Sequence, residues 1–317
     1  MKCDRPREDV YRVVGSLARA RSRLGLAAVL LMLVSASGCA GLETSEAEQA
    51  LDTDYTDASG TLTVRIKQCE WSPKLGHPTA SCTVDSDFVL VGGGAEVEGS
   101  ASPGALLWQS APDLKITTTT WLAASKDHVI AYPHRVRAYA IGLKIAGVLA
   151  TTLQQAVTIV PVRSSPAHHP SATASVPAGY ALVGGGATAN WSGQGLLLTS
   201  SYPSGSSWIA DAKDHVGQEI GTVTSYAIGI SLSMIAGFGA VSNQYGYSVQ
   251  TGYGFPVVAG PGGRVVTSVG GLAQYNGQGR LLTALVPISG TSGMSVSKDH
   301  VSADSGFTTA YVISLGR

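Results

Sequence analysis

The triplet Lys126-Asp127-His128 is followed, 11 positions after its histidine, by Tyr139, which opens an apolar, strand-like run. Two further copies keep the same interval: Lys213-Asp214-His215 precedes Tyr226, and Lys298-Asp299-His300 precedes Tyr311. A fixed interval with variable residues inside it indicates one structural unit copied three times. The period of about 86 residues places unit 1 at 61–146, unit 2 at 153–235 and unit 3 at 243–317.

Each unit has the residue pattern of a β structure. Its apolar runs are short, rich in Val, Ile, Thr and Tyr, and bounded by Gly, Pro, Ser and Asp, which is typical of strands. Only 147–156 has a spacing of apolar residues that allows a short helix. The fold class is therefore predicted to be all-β. Two arrangements stay open: three units closed around a pseudo-threefold axis, as in a β-prism, or three small sandwiches in tandem.

Strand alternation gives the final strand of each unit one bulky face and one nearly flat face. In unit 2, Tyr226, Ile228 and Ile230 share the bulky face, whereas Ala227 and Gly229 share the flat one. A flat face predicts the close approach of a second sheet or of backbone. A glycine run extends the alignment, and its first glycines, each 15 positions after the residue before a proline, are Gly92, Gly184 and Gly270.

The start of the chain has the organisation of an export signal, predicted to span residues 1–38. Seven basic and three acidic residues in 1–24 precede an apolar run from Leu24 to Val34 and then a series of small residues. The apolar run is too short to cross a bilayer, which takes roughly 20 residues.

The four residues Ala36-Ser37-Gly38-Cys39 resemble the lipobox of bacterial lipoproteins. The resemblance implies that Cys39 carries a diacylglycerol and becomes the N-terminus, so that acyl chains tie the protein to a membrane. Ordinary signal cleavage nearby and an uncleaved anchor are the alternatives. Ala40 rather than Asp follows the cysteine, which favours the outer membrane or cell surface over the inner membrane.

Residues 39–60 are predicted to form an acidic, flexible tether, because they contain six acidic residues, no basic residue and few aromatic ones. The remainder of the chain, 61–317, has 14 Lys and Arg against 12 Asp and Glu. That balance lacks the clustered basic face of nucleic-acid-binding proteins, so no nucleic-acid partner is expected. Charged residues make up only 13% of the chain, against roughly 25% in ordinary soluble domains, which favours an extracytoplasmic β protein.

Cys69 and Cys82 are the cysteines of the repeat region. In an oxidising compartment they are expected to form a disulfide, and the alternative is a pair of buried, reduced thiols. No metal site is expected, because no second cysteine pair and no histidine cluster has zinc-site spacing. No cofactor is expected either, and no catalytic signature or phosphate loop supports enzymatic activity.

The triplets are interpreted as structural rather than catalytic. Strand alternation would place the aspartate and histidine of one triplet on opposite faces, so a single triplet makes a poor metal or acid/base site. At a strand end the aspartate would accept backbone N–H bonds, while the lysine and histidine cover an apolar edge. The alternative is that the histidines or aspartates of all three copies converge on a ligand at a pseudo-threefold axis.

A second candidate site is the Gly-rich turn that follows the glycine run. It carries Asn190, Trp191 and Gln194 in unit 2, and Tyr275, Asn276 and Gln278 in unit 3. An aromatic ring beside amides can stack on a sugar ring while the amides bond its hydroxyls, which predicts glycan binding. The alternative is a plain hairpin turn, where Asn-Gly sequences are expected in any case.

The units, unit 2 above all, resemble a module of secreted bacterial proteins. The residues that carry the resemblance are Pro177-Ala178-Gly179, Gly184-Gly185-Gly186, Ser201-Tyr202-Pro203, Trp208 and Tyr226-Ala227-Ile228. Related modules often have a cysteine before that first proline and another just after the Tyr-Ala pair, where this chain has Val176 and Gly229, so that disulfide is absent. The resemblance implies an all-β extracytoplasmic module and carries over no reaction and no site.

We therefore expect a lipid-anchored envelope or surface protein that is not an enzyme and binds carbohydrate or an envelope partner. The threefold repetition and the aromatic turns motivate this expectation. Two alternatives stay open: a secreted hydrolase that uses the repeated Asp and His positions, and a purely structural component of the envelope.

Overall fold

The computed structural model describes residues 51–99, 104–115, 118–193, 195–249 and 252–317. The predicted signal peptide, Cys39 and Gln194 lie outside the described residues. The elements of this part of the chain are β1 (Leu51–Thr56), β2 (Leu62–Gln68), β3 (Thr79–Thr83), β4 (Val89–Val97), β5 (Leu106–Pro112), β6 (Thr120–Lys126), β7 (Val136–Ile145), α1 (Ala150–Gln155), β8 (Val157–Arg163), β9 (Ser171–Ser175), β10 (Tyr180–Asn190), β11 (Leu197–Ser204), β12 (Ser207–Lys213), β13 (Thr222–Ser231), β14 (Gly239–Val249), β15 (Tyr253–Gly254), β16 (Val257–Ala259), β17 (Val265–Tyr275), β18 (Leu281–Ser289), β19 (Ser292–Lys298) and β20 (Gly306–Gly316). None of the described residues belongs to a helix long and apolar enough to cross a membrane.

Three sheets of antiparallel strand pairs divide the strands of the units between them. Unit 1 contributes β2, β7 and β4 to a sheet completed by β18, β19 and β15 of unit 3, with β1 at its edge and β16 paired to β19. Unit 2 contributes β8, β13 and β10 to a sheet completed by β5, β6 and β3 of unit 1. Unit 3 contributes β14, β20 and β17 to a sheet completed by β11, β12 and β9 of unit 2.

This cyclic exchange decides between the two arrangements left open by the sequence. Tandem sandwiches would keep the strands of one unit in sheets of their own, whereas here each sheet joins two units. The all-β prediction is confirmed, and the units close around a pseudo-threefold axis. The short helix α1 lies within the stretch where the sequence allowed one, and it links β7 to β8.

The flat faces of the final strands lie against a second sheet built from strands of the same unit. In unit 2, Ser225 on the flat face of β13 donates to the Trp208 backbone oxygen at 2.7 Å, and Trp208 lies in β12, which belongs to a different sheet. A Cβ added to Gly229 would lie 2.8 Å from Cγ1 of Val176, and one added to Gly142 would lie 2.7 Å from Cβ of Phe88. Close approach was expected here, and the absence of a side chain at these glycines makes it possible.

Strand pairing corrects the alignment of the glycine run in unit 3. In units 1 and 2 the third glycine of the run pairs with the shared tyrosine, as in Gly94–Tyr139 and Gly186–Tyr226. In unit 3 the first glycine of the run does so, in the pair Gly270–Tyr311. Matching Gly270 with the first glycines was therefore wrong by two residues. Ser268 takes the place of the first glycine in unit 3, because it pairs with Ile313 as Gly92 pairs with Ile141.

Part of the acidic segment that the sequence predicts to be a flexible tether is a β-strand. Of residues 39–60, those from Leu51 to Thr56 form β1 and pair with β2. Their acidic side chains have basic partners in the neighbouring strand, as in the Asp54–Arg65 ion pair at 2.6 Å. The extension of the flexible tether to residue 60 is therefore wrong, because composition shows a run of acids but not the basic partners that order it.

Cys69 and Cys82 form a disulfide with their Cα atoms 5.5 Å apart. Cys69 lies directly after β2 and Cys82 lies in β3. Because β2 and β3 belong to different sheets, the bond joins two of the three sheets within unit 1.

Candidate functional site

Each triplet ends a strand and enters the same tight turn. The residue after each histidine is a valine with positive φ: Val129 at 62°, Val216 at 63° and Val301 at 61°. In each turn the N–H two residues after the histidine donates to the histidine C=O, with N···O distances of 2.6, 2.7 and 2.6 Å. Valine rarely adopts positive φ. The same unusual turn follows all three histidines, so the three histidine side chains are oriented alike at the ends of their strands.

The three histidines meet on the pseudo-threefold axis. The ring centres of His128 and His215 are 5.3 Å apart, those of His128 and His300 are 5.4 Å apart, and those of His215 and His300 are 5.0 Å apart. Nitrogens of the three rings lie within 4.8 Å of one another. The residues are only 2% to 3% exposed. Of the two kinds of convergence considered from the sequence, the fold brings the histidines together.

The histidine cluster is neutral and poorly hydrogen-bonded. None of its six ring nitrogens makes a hydrogen bond of normal geometry within the described part of the chain. Burial, followed by the neighbouring histidine and lysine charges, lowers the pKa of His128 to about 4 and that of His300 to about 3. Burial also lowers the pKa of His215. Each imidazole is therefore neutral near pH 7 and has one lone pair and one N–H to offer.

The triplet aspartates turn away from the axis and hold the loops beside it. Each accepts a backbone hydrogen bond: Asp127 from Tyr132 at 3.2 Å, Asp214 from Glu219 at 2.9 Å, and Asp299 from Gly252 at 2.7 Å. This is the acceptor role expected of an aspartate at a strand end. Each aspartate therefore serves a neighbouring loop and not the histidine of its own triplet.

The triplet lysines are buried, which corrects the expectation that lysine and histidine cover an apolar edge. All three lysines are 1% to 3% exposed. Lys126 Nζ lies 4.0 Å from the ring centre of Trp191, and Lys213 Nζ lies 3.6 Å from that of Tyr275. In both contacts the cation stacks on the aromatic ring of the next unit. Burial lowers the pKa of each lysine to about 8.

An acidic residue four positions after the triplet histidine closes the aromatic turn in units 2 and 3. Glu219 accepts hydrogen bonds from the backbone N–H groups of Ser192, Gly193 and Gly195. Asp304 accepts them from Asn276, Gly277 and Gly279 at 2.9 to 3.0 Å. In unit 1 the equivalent position is Tyr132. The two aromatic turns are thus held in a fixed conformation by a buried carboxylate.

The two asparagines singled out for glycan binding use their amides inside the protein. The Asn190 amide donates to the hydroxyls of Thr222 and Thr224, both at 3.1 Å. The Asn276 amide donates to the backbone oxygen of Ser305 at 2.9 Å. Their side chains therefore shape the turns and have limited capacity left for a ligand.

The two aromatic residues of these turns differ in how closely they are surrounded. Besides Lys126, Trp191 meets Trp108 edge-on at a ring-centre distance of 6.0 Å and His77 at 5.4 Å. Tyr275 meets His169 at 6.1 Å in the corresponding edge contact. No second aromatic ring contacts Tyr275 within the described residues, so the surroundings of Tyr275 are the more open.

Two adjoining clefts, named the seam groove, lie where β9 and β12 of unit 2 meet the β17–β18 turn of unit 3. They share His169 and have volumes of about 360 Å³ and about 210 Å³. Their polar and aromatic wall residues include His168, His169, Asp211, Asp214, Gln218, Gln274, Tyr275 and Gln278. At one wall Asp214 pairs with His168 at 2.7 Å and with His169 at 3.3 Å.

Sequence reasoning singled out Asp214, Tyr275 and Gln278 of this groove but did not bring them together. It missed the contribution of His169, although the alignment of His169-Pro170 with His77-Pro78 was available as a signal. The reason is distance along the chain, because the groove forms only when a turn of unit 3 packs beside a strand end of unit 2. The same reason hides the histidine cluster from rules based on ligand spacing.

No protein-family model matches the chain, and no curated protein matches it. A solved structure of the Enterococcus faecalis MSCRAMM ACE, described as binding its ligands by the collagen hug model, aligns with 11% sequence identity and a TM-score of 0.19. The alignment covers 65% of this chain and 89% of that chain. A TM-score at this level does not indicate a shared fold, so the likeness bears on neither fold nor function.

Proposed function

We propose that the protein is an exported, lipid-anchored surface protein that binds a hydroxyl-rich ligand, of which a saccharide is the leading example, in the seam groove. The observation that carries this proposal is the groove itself, where the Tyr275 ring stands among two carboxylates, two imidazoles and three side-chain amides. Export and anchoring rest on the signal sequence and on the lipobox-like residues that end at Cys39.

The chemistry of the groove walls suits sugar hydroxyls. Asp211 and Asp214 offer the acceptor capacity that their internal bonds with Ser200 and Glu219 leave, whereas Gln218, Gln274 and Gln278 each offer both a donor and an acceptor. A hydroxyl group needs both, because it donates one hydrogen bond and accepts others. The aromatic ring adds a surface for the C–H face of a sugar. The groove therefore matches a polyhydroxylated ligand better than an apolar one.

The aromatic ring of the groove is held in place before a ligand arrives. Lys213 Nζ stacks on the ring of Tyr275 and also donates to the Gln278 backbone oxygen at 2.8 Å. Asp304 closes the same turn from its other side. A site that does not need to be ordered on binding loses less affinity to entropy.

A glycan array of bacterial and host polysaccharides, probed with the full chain, tests the proposal. Hits would then be titrated by calorimetry against Tyr275→Ala, Gln278→Ala and Trp191→Ala. We expect Tyr275→Ala to weaken binding at least about tenfold, since loss of a stacked, hydrogen-bonded contact costs about 1.4 kcal/mol or more. Trp191→Ala reports on the equivalent but more crowded turn of unit 2 and should have the smaller effect.

Tyr245→Ala provides the matched control. Tyr245 is 54% exposed and lies on β14, at the opposite edge of the sheet that contains β9 and β12. Its loss should leave the affinity unchanged. The saccharide proposal fails if no glycan binds, or if binding to a glycan is the same in the wild-type protein and in Tyr275→Ala.

A second candidate, a hydrolase, is favoured by one observation. The carboxylate of Asp214 holds both His168 and His169 at the groove wall, and a carboxylate that orients an imidazole is a common acid/base arrangement. Hydrolysis of a bound glycan by the wild-type protein, lost in His168→Gln without loss of binding, would establish this activity. Binding without turnover would leave the protein a binding protein.

A further inference from the structure

We infer that His128, His215 and His300 form a site for one transition-metal ion on the pseudo-threefold axis. One nitrogen of each ring lies within 4.8 Å of one nitrogen of each other ring, and the cluster found among the described residues consists of imidazoles only. The inference is independent of the seam groove and goes beyond the proposed function.

The first argument is the number of polar atoms left without partners. All six ring nitrogens are buried and lack a hydrogen bond of normal geometry among the described residues. Burial of an unpaired polar group is unfavourable, and such groups in a native protein call for an explanation, for which a bound ion is a standard one. Here one nitrogen from each of the three rings lies within 4.8 Å of the other two. A metal ion accepting one lone pair from each ring would give three of them a partner at once.

The second argument concerns the remaining nitrogen of each ring. A metal-bound histidine usually donates its other N–H to a carboxylate or a backbone carbonyl. Against the larger effect of burial, the backbone of Gln278 and that of His300 raise the pKa of His215, and the backbone of His128 raises that of His300, so these backbone groups neighbour the rings. A small rotation of the rings would convert these contacts into hydrogen bonds and leave the other nitrogens for the ion.

The third argument is size. Zinc–imidazole bonds are about 2.1 Å long, which puts the ligand atoms of a tetrahedral site about 3.4 Å apart. One nitrogen of each ring lies at most 4.8 Å from those of the other two, so each ring needs to move toward the axis by about 1 Å or less. Rotation about the side-chain bonds supplies such a movement without any change in the strands.

The donor set selects the class of metal. Imidazole nitrogen suits zinc, copper and nickel, whereas calcium and magnesium prefer carboxylate and carbonyl oxygen. The charge of the neighbouring triplet lysines opposes any cation, but Glu219 acts on Lys126 and Asp304 acts on Lys213 with the opposite sign. Three protein ligands leave a fourth position for water or another small ligand.

The path from solvent to the histidine cluster is short. Each histidine is followed by one of the positive-φ valines, and Val129, Val216 and Val301 are 57%, 53% and 60% exposed. The cluster therefore lies one residue inside three surface turns. An ion reaches it by a local opening of these turns rather than by unfolding of a sheet.

Calorimetry on the full chain, purified without a histidine tag and treated with chelator, tests the inference. Zinc, nickel and copper chlorides should each bind with one ion per chain at the axis, and magnesium and calcium chlorides should not bind there. Cobalt chloride should give visible ligand-field absorption typical of a low-coordinate site. His215→Gln and His300→Gln should each weaken zinc binding at least about tenfold, whereas His77→Gln, at an exposed histidine outside the groove, should not.

If a histidine variant fails to fold, a measurement on the wild-type protein still tests the inference. Crystals grown with zinc would be measured at the zinc absorption edge, and the anomalous peak should lie between the three rings. A zinc ion found elsewhere, no zinc binding by the folded wild-type protein, or full affinity in folded His215→Gln would each overturn the inference.

Discussion

Gly185 lies directly under the indole of Trp208, since a Cβ added to Gly185 would be 2.3 Å from Trp208 Cδ2. Gly93 and Trp121 repeat this relationship in unit 1, again at 2.3 Å. In unit 3 the sizes are exchanged. Gly293 stands at the tryptophan position, and a Cβ added there would be 2.4 Å from Val269 Cγ1. The space between the two strands is thus filled by a large side chain from one strand in units 1 and 2, and from the other strand in unit 3.

Gly185→Val should destabilise the protein, because Trp208 is completely buried and the added methyl groups have no free space. Overpacking of a core typically costs about 1 to 3 kcal/mol, and we expect the upper end. The free energy of unfolding from urea titration measures the change. Gly262→Ala is the control: no atom lies within 4 Å of its added Cβ, so the change should stay within about 0.5 kcal/mol.

The same site allows a test of compensation. The double variant Gly185→Val/Trp208→Gly copies the arrangement of unit 3, and its loss of stability should be smaller than the sum of the two single losses. A coupling free energy of about 1 kcal/mol or more is expected for residues in direct contact. Strictly additive losses would show that the two positions do not share one volume.

These residues also show what sequence alone can and cannot give. The interval between triplet and tyrosine revealed the repeat, and the short apolar runs revealed its β character, because both depend on residues near one another in the chain. The absence of the unit 3 tryptophan was visible at Gly293, but its replacement at Val269 was not. The register of the glycine run in unit 3 had to come from the strand pairs.

The candidate sites follow the same rule. Strand alternation correctly separates Asp214 from His215, because that separation is local. The meeting of His215 with His128 and His300 depends on the exchange of strands between units, which joins residues about 86 positions apart in sequence. Spacing rules for metal ligands describe local motifs, so they pass over a site made by symmetry.

A rise in pH above neutrality should stabilise the protein. Burial lowers the pKa of Lys213 to about 8, whereas an unfolded chain has a lysine pKa near about 10.4. Between these values the unfolded state binds more protons, and stability therefore increases with pH. Urea midpoints between pH 7 and about pH 9.5 test this increase. The range stops there because burial raises the pKa of Tyr311 to about 12, which acts in the opposite direction above pH 10.

Lys213→Met identifies the group responsible. It keeps an unbranched side chain against Tyr275 and removes the titrating amine, so the slope of stability against pH should fall by roughly a third if the three triplet lysines contribute equally. Lys74→Met, at an exposed position, should leave the slope as it is. An unchanged slope in Lys213→Met would remove this lysine from the explanation.

Val216→Gly should leave the stability unchanged or raise it by about 1 kcal/mol. A non-glycine residue held at a rare φ costs on the order of 1 to 3 kcal/mol, and glycine adopts φ near +63° without a clash. The gain is partly offset by the greater freedom of glycine in the unfolded chain. Thermal and urea unfolding of the variant measure the balance.

Val257→Gly is the comparison for that experiment, because Val257 is also about half exposed but lies in the strand β16. There the substitution only adds flexibility, and we expect a loss of about 1 kcal/mol. Equal losses at Val216 and Val257 would mean that the turn after the histidine carries no backbone strain.

Asp304→Asn should lower the free energy of unfolding above pH 4 and reduce the dependence of that free energy on pH in the acid range. Burial by itself raises the pKa of Asp304, but hydrogen bonds from the backbone of Asn276, Gly277 and Arg280 outweigh burial and lower it. The carboxylate therefore contributes its full stability above its unfolded pKa of about 3.9. That contribution is lost as the pH falls through the lower folded value. Hydrogen bonds to a charged group are worth about 1.5 to 3 kcal/mol, so a loss of about 2 kcal/mol is expected at neutral pH.

Urea unfolding of Asp304→Asn and of the wild-type protein from pH 6 down to about pH 2.5 checks this prediction, since that range brackets the ordinary aspartate pKa. The wild-type curve should fall more steeply than that of the variant below pH 4, and the two should approach each other at the acid end. Asp52→Asn, an exposed position in β1, should follow the wild-type curve throughout. If the wild-type protein and Asp304→Asn have parallel acid limbs, the turn of Tyr275 is not held by a charged carboxylate, and the preorganisation assumed for the seam groove loses its basis.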